Sequence, residues 1–236
     1  MREVIWALVG WLFGIGAARR ARNVIAQIHL DGGGYVYGFL NTKPGFVPAV
    51  SVINAIAAFG IATTLTGNFA TFAFVVFATN IIQQMFVDID THVLPKGRTR
   101  GATFFGLVLL FLATISQHDW SRLGWAIAGS FLMWMVLRVL QAVSRGDLGG
   151  GDVALATLLG LHLGWLAIGN VFIALFVSCV LGGIAGLVTL AVRRNRRHFI
   201  AFGPWLVTGA LVTVVFEQTL RRLLLGLTAR VRADLP

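Results

Sequence analysis

Apolar residues fill long uninterrupted runs of this chain, and charged residues gather between the runs. One run lies between Arg2 and Arg19, and no residue from Pro44 to Val87 is charged. Further runs cover Gly101–Gln117, Leu123–Leu137 extending to Gln141, Val153–Val192, and His198–Phe216. A helix that crosses the ~30 Å hydrocarbon core needs roughly 20 apolar residues. Pro44–Val87 and Val153–Val192 are therefore long enough for two helices each, broken near Thr66-Gly67-Asn68 and near Gly169-Asn170. The pattern predicts an all-α membrane protein: a bundle of about eight transmembrane helices with short loops, in a single domain over 1–236. The longest loop is expected over 19–46, turn-rich around Gly32-Gly33-Gly34, with shorter ones at 88–100 and 142–152. No repeat of 20–50 residues divides the chain.

Composition agrees with the pattern. The 236 residues are 57% hydrophobic and only 12% charged, about half the charged share of a soluble domain. Mean hydropathy is +0.83, so the lipid bilayer is the expected partner of most of the surface. The net charge of +10 then reads as topology, because basic residues collect on the cytoplasmic side. With the amino terminus outside, the inner segments hold Arg19, Arg20, Arg22, Lys43, Lys96, Arg98, Arg100, Arg145 and the cluster Arg193, Arg194, Arg196, Arg197. Six arginines stay outside, four of them in the tail FEQTLRRLLLGLTARVR, which reads as an amphipathic surface helix. No alternation of basic and aromatic residues marks a nucleic-acid face. The first apolar run precedes its positive charges and lacks a cleavage pattern, unlike a signal peptide. Cys179 stands alone in an apolar run, which leaves no disulfide framework and no cysteine zinc site.

None of the nine acidic residues falls mid-run. Asp88 ends the third predicted helix and Asp152 begins the sixth, on the same side of the membrane and at similar depth. Two carboxylates that meet in a partly dehydrated site do not both ionise easily. One then draws a proton from water while its protonated partner hydrogen-bonds a carbonyl, the chemistry of an aspartic protease. Plainer roles stay open: Asp152 as a helix N-cap, Asp88 as a solvated boundary residue. Asp90 lies about 200° around a helix from Asp88, so the two cannot face one partner together. Asp147 reads as a turn residue, and Asp31 and Asp119 as solvated loop acids. His162 lies about 15 Å down the helix from Asp152, near mid-bilayer, where a bond to another helix is expected. His92 is placed to touch a substrate or simply to meet solvent. Gly149, Gly150 and Gly151 permit unusual backbone angles and close approach of a second chain, whether as a turn or as the floor for an extended peptide. No histidine–carboxylate spacing fits zinc, no Gly-x-Ser-x-Gly elbow occurs, and no Lys-Ser/Thr follows the glycines to make a phosphate loop.

Taken together, these residues resemble the type IV prepilin peptidase family of membrane aspartic proteases. The family's first motif, an aspartate, five residues and Leu-Pro, is matched by Asp88-IDTHV-Leu94-Pro95. Its second, Gly-x-Gly-Asp opening a helix, is matched by Gly149-Gly150-Gly151-Asp152. A third and less specific similarity is Phe202-Gly203-Pro204 before the last helix. The resemblance implies that Asp88 and Asp152 are the catalytic aspartates, with Asp90, Leu94, Pro95, Gly149, Gly151, Phe202, Gly203 and Pro204 in supporting or substrate-binding places. It implies cleavage of the short basic leader of a prepilin-like protein at the cytoplasmic face of a bacterial inner membrane, with no covalent intermediate, metal or cofactor. Two positions depart from the family pattern: Lys96 follows Leu-Pro where Asp or Asn is common, and Ala154 stands where the second motif often has lysine. A shift in substrate preference is expected from both. Larger relatives carry a paired-cysteine zinc loop after the first helix and methylate the new amino terminus; residues 19–46 contain no cysteine, so the resemblance gives methyl transfer no support. Two other classes remain open: a non-catalytic component of a pilus or secretion assembly, and a small proton- or cation-coupled transporter, which would place its acids near mid-span.

Overall fold

The computed structural model describes residues 1–31, 43–144, 148–193, 202–219 and Arg222. Among these residues the chain is helical throughout: α1 (Arg2–Leu30), α2 (Phe46–Thr64), α3 (Asn68–Thr91), α4 (Lys96–Gln117), α5 (Ser121–Val143), α6 (Gly150–Leu166), α7 (Ile168–Arg193) and α8 (Gly203–Val215). Six of the eight, α1–α5 and α7, are long and apolar enough to cross a membrane, while α6 and α8 are shorter. The eight expected helices are thus present among the described residues, six of them with the length and composition of spans, in a multi-pass membrane protein. The predicted breaks are met closely, at 65–67 between α2 and α3 and at Ala167 between α6 and α7. The 19–46 loop is shorter than expected, because α1 continues through Arg19, Arg20 and Arg22 to Leu30. Those arginines reach outward or to partners, as Arg20 Nε does in donating to Gln83 Oε1 at 3.2 Å, so charge does not end the helix. The glycine turn at 32–34, Asp147, Arg145, the arginines at 194, 196 and 197 and most of the proposed tail helix, which begins at Phe216, lie outside the described residues.

α3 and α6 form the centre. α3 touches α1, α2, α4, α6 and α8, and nearly every side chain of α6 from Gly151 to Trp165 is buried. With water absent, apolar burial gives helices little reason to associate, and small residues that let backbones approach take over. Two Gly-xxx-Gly pairs do this here. Gly10 and Gly14 seat α1 on Asn54 and Ser51 of α2, and Gly160 and Gly164 seat α6 on Gly129 and Trp125 of α5; a Cβ at any of the four would collide with the opposing helix. Polar side chains add cross-links: Trp165 Nε1 donates to Thr114 Oγ1 at 2.9 Å, and Ser130 Oγ to Thr157 O at 3.0 Å. α4 and α5 both rest on α6 but scarcely touch each other, which leaves a cleft between them.

Candidate active site

Asp88 sits in the last turn of α3 and Asp152 in the first turn of α6. Both are buried, at the same end of the bundle, and Asp88 feels the charge of Asp152. The local chemistry explains the placement. α3 ends at His92, which adopts the left-handed conformation (φ 53°) and returns its N–H to Asp88 O at 2.8 Å. Beyond it Pro95 keeps the preceding residue extended and cannot continue the helix, so Leu94 crosses toward α6 before Pro95 caps α4.

There the three motifs interlock. Leu94 is buried against Gly151: a Cβ on Gly151 would stand 2.5 Å from Leu94 Cβ and 2.8 Å from its carbonyl oxygen. Gly203, opening α8, lies over the Asp88 carboxyl; its Cβ would stand 2.5 Å from Oδ2 and 3.2 Å from Leu94 Cδ1. The Gly203 amide dipole faces that carboxyl, whose Oδ2 is otherwise buried without a hydrogen-bond partner among the described side chains. Asp152 is not the N-cap of α6. Gly149 holds that place, and the Asp152 carboxylate reaches back to the Gly149 N–H, the acid half of a capping box. None of Gly149, Gly150 and Gly151 has positive φ. Gly151 is needed for space and not for an unusual backbone angle, whereas Gly150 faces only the ends of the Lys96 and Gln141 side chains.

The structure thus gathers Asp88, Leu94, Gly149, Gly151, Asp152 and Gly203. Asp90 is buried but projects from the other side of α3. Pro95 begins α4, Phe202 lies on Gly182 of α7, and Pro204 takes the first turn of α8, where its missing N–H leaves no bond unmade. His92 is a helix cap whose imidazole burial pushes below its usual pKa. His162 bonds within its own helix, Nδ1 to Leu158 O at 3.0 Å, and meets α3 through its ring, stacked 4.0 Å from Phe77; the bond to another helix is absent. One supporting pair escaped the sequence reading: Thr99 Oγ1 donates to Gln84 Oε1 at 2.7 Å, buried one helical turn below Asp88. Only Gln84's four-residue spacing from Asp88 hinted at it.

These features define a class: a helical membrane protein with a buried aspartate pair held at one end by interleaved glycines. Residues 72–187, a segment that contains both aspartates, match the model of the type IV leader peptidase family. Gly203 falls outside the matched segment. Curated relatives include proteins named prepilin leader peptidase/N-methyltransferase. That of Aeromonas salmonicida is 26% identical over 74% of this chain and 60% of its own length. That of Burkholderia pseudomallei is 32% identical over 59% of this chain and 45% of its own, and that of Neisseria gonorrhoeae 30% over 64% and 51%. The chain spans about 60% of the length of the Aeromonas relatives. No solved structure matches it significantly.

Proposed function

We propose that the chain is an aspartic endopeptidase that removes the short basic leader from prepilin-like proteins at the cytoplasmic membrane face. The observation that carries this reading is the interlock of three separate motifs around Asp88 and Asp152. Such close contacts are costly to assemble unless the pair itself is needed. Water held between the carboxyls loses a proton to the ionised one as its oxygen attacks the scissile carbonyl carbon. The protonated partner donates to the carbonyl oxygen, forming a tetrahedral diol. The diol collapses as the C–N bond breaks: the leaving nitrogen takes a proton from one carboxyl, a diol hydroxyl gives its proton to the other as it becomes the product carbonyl, and the pair again holds a single shared proton. No group of the enzyme becomes covalently bound to the peptide. The Asp88 backbone is pinned by His92 and its carboxyl is overlaid by Gly203, which orients the carboxyl before substrate arrives. Orientation of this kind is a main source of catalytic power. A transporter reading finds less support, since the buried acids lie at helix ends and not at mid-span.

The test is leader removal from a co-expressed prepilin by wild type, Asp88→Asn and Asp152→Asn, with fold verified by circular dichroism. Loss on the order of 10³-fold is expected from removing either acid–base partner. Cleavage that survives either substitution in a folded protein rejects the mechanism.

A further inference from the structure

The cleft between α4 and α5 is a cavity of about 960 Å³ floored by α6, and neither aspartate lines it. Its mouth is cationic. Lys96 and Arg100 from α4 and Arg138 from α5 converge there, and among the described residues no acidic side chain lines the cavity. Among the described residues no salt bridge engages any of the three, while Arg138 Nη1 is steadied by Gln141 Oε1 at 2.5 Å. Below the mouth the walls carry exposed aromatic side chains, Phe104 at 70% and Phe131 at 61%, a surface suited to an acyl chain in a membrane protein. Along α6 the floor runs from Gly150 to Leu161, roughly 16 Å at 1.5 Å per residue. That is about half of the ~30 Å hydrocarbon core, the depth of a single leaflet.

From this combination we propose that the α4–α5 cleft is a binding site for one anionic glycerophospholipid, its phosphate headgroup among Lys96, Arg100 and Arg138 and an acyl chain along Phe104 and Phe131 toward Leu161. Three cations that no described acid neutralises, above one leaflet's depth of apolar wall, match an anionic headgroup above a chain. A peptide bound for cleavage would instead have to reach the aspartates, which the cleft does not. Both motif departures, Lys96 and Ala154, line this cleft. One supplies a cation at its mouth and the other a small side chain on its floor. The site is independent of the peptidase reading, and its test reads lipid occupancy and not cleavage.

Trp134 lines the cleft and serves as the reporter. The purified, delipidated full chain is titrated in mixed micelles with brominated phosphatidylglycerol or brominated phosphatidylcholine. The Trp134 signal is taken as the quenching lost in Trp134→Phe. Phosphatidylglycerol is expected to quench at a mole fraction at least about tenfold lower than phosphatidylcholine, as three converging cations imply. Lys96→Gln/Arg100→Gln/Arg138→Gln should abolish that preference. Ala154→Trp, read against its own Trp134→Phe background, should exclude both lipids from the cleft while leaving the cations in place. If the triple variant does not fold, Arg138→Gln alone should reduce the preference. Equal quenching by the two lipids overturns the proposal, as does a preference that persists in folded charge and Ala154→Trp variants. Unchanged lipid quenching together with altered choice among prepilin substrates also overturns it, and would give the cleft to the peptide.

Discussion

The two faces of α6 follow opposite rules. One face presents Asp152 and Gly151 to α3, α8 and the Leu94 crossing, where any added atom meets backbone or the carboxyl pair. The other presents Gly150, Val153, Ala154, Thr157 and Leu161 to an open cleft, where added atoms meet the ends of flexible side chains or nothing. The contrast shows that a buried ionisable pair is built by subtraction. The glycines carry no chemistry, but they remove the volume that would hold the aspartates apart.

The sharpest way to break this contrast is to change charge on each face in turn. Asp152→Asn keeps the shape and removes the ionisable group, so cleavage should fall on the order of 10³-fold. Arg138→Gln, on the cleft side, should leave cleavage of a soluble reporter peptide within about twofold, as for a surface substitution. Comparable losses from both substitutions, measured as initial rates, would mean that the two faces act as one site.

A subtler comparison lies inside the glycine triplet. Gly151→Ala drives a methyl into Leu94 Cβ and the Leu94 carbonyl; overpacking of this kind costs about 1–3 kcal/mol, and the displaced Leu94 should carry the Asp88 geometry with it. Gly150→Ala meets only the Lys96 Cε and Nζ, at 2.6 Å, and a lysine end swings aside easily. Since Gly150 needs no positive φ, alanine there should stabilise by about 0.4–1 kcal/mol through the unfolded chain. Thermal unfolding in one detergent should therefore move in opposite directions for neighbouring residues, with a large loss of cleavage only at 151. Matching shifts would show that the Leu94 contact does not hold the site.

How much of this was legible beforehand follows from what each residue does locally. The break at 65–67 could be read because glycine and polar residues interrupt the apolar run, whereas the second falls at Ala167, just ahead of Gly169-Asn170, which lie in the first turn of α7. The pairing of Asp88 with Asp152 could be read because both end a helix on one side and carry recognisable neighbours. The length of α1 could not: arginine is a good helix former whose long chain reaches polar surroundings from within a helix, so Arg19–Arg22 marked a change of environment and not of conformation. Counting uncharged runs found all eight helices, of which six have the length and composition of membrane spans while α6 and α8 are shorter. The resemblance singled out Gly203, but its contact with Asp88 and the cleft between α4 and α5 could not be read, since each depends on helices distant in sequence. Of the two roles expected for the glycine triplet, unusual backbone angles and close approach of another segment, only the close approach is found, at Gly151 against Leu94.

The smallest effect concerns the turn that delivers Leu94 to the closed face. His92 holds left-handed angles, a conformation costing a non-glycine residue roughly 1–2 kcal/mol. His92→Gly should recover much of that and raise the midpoint of thermal unfolding by a few degrees in a chain of this size. The gain should also depend on pH. Burial lowers the His92 pKa, so between that lowered value and the ordinary histidine value near 6.5 the unfolded chain binds more protons than the folded one. Folded stability from this group is therefore complete above about pH 6.5 and falls as the pH drops toward the lowered value. His92→Gly removes that acid-side loss, so its advantage over wild type should widen between neutral and mildly acidic pH. A constant advantage across that range would mean that the imidazole titrates as freely in the folded protein as in the unfolded chain. The cap would then act through backbone angles alone, and the closed face would owe nothing to His92 burial.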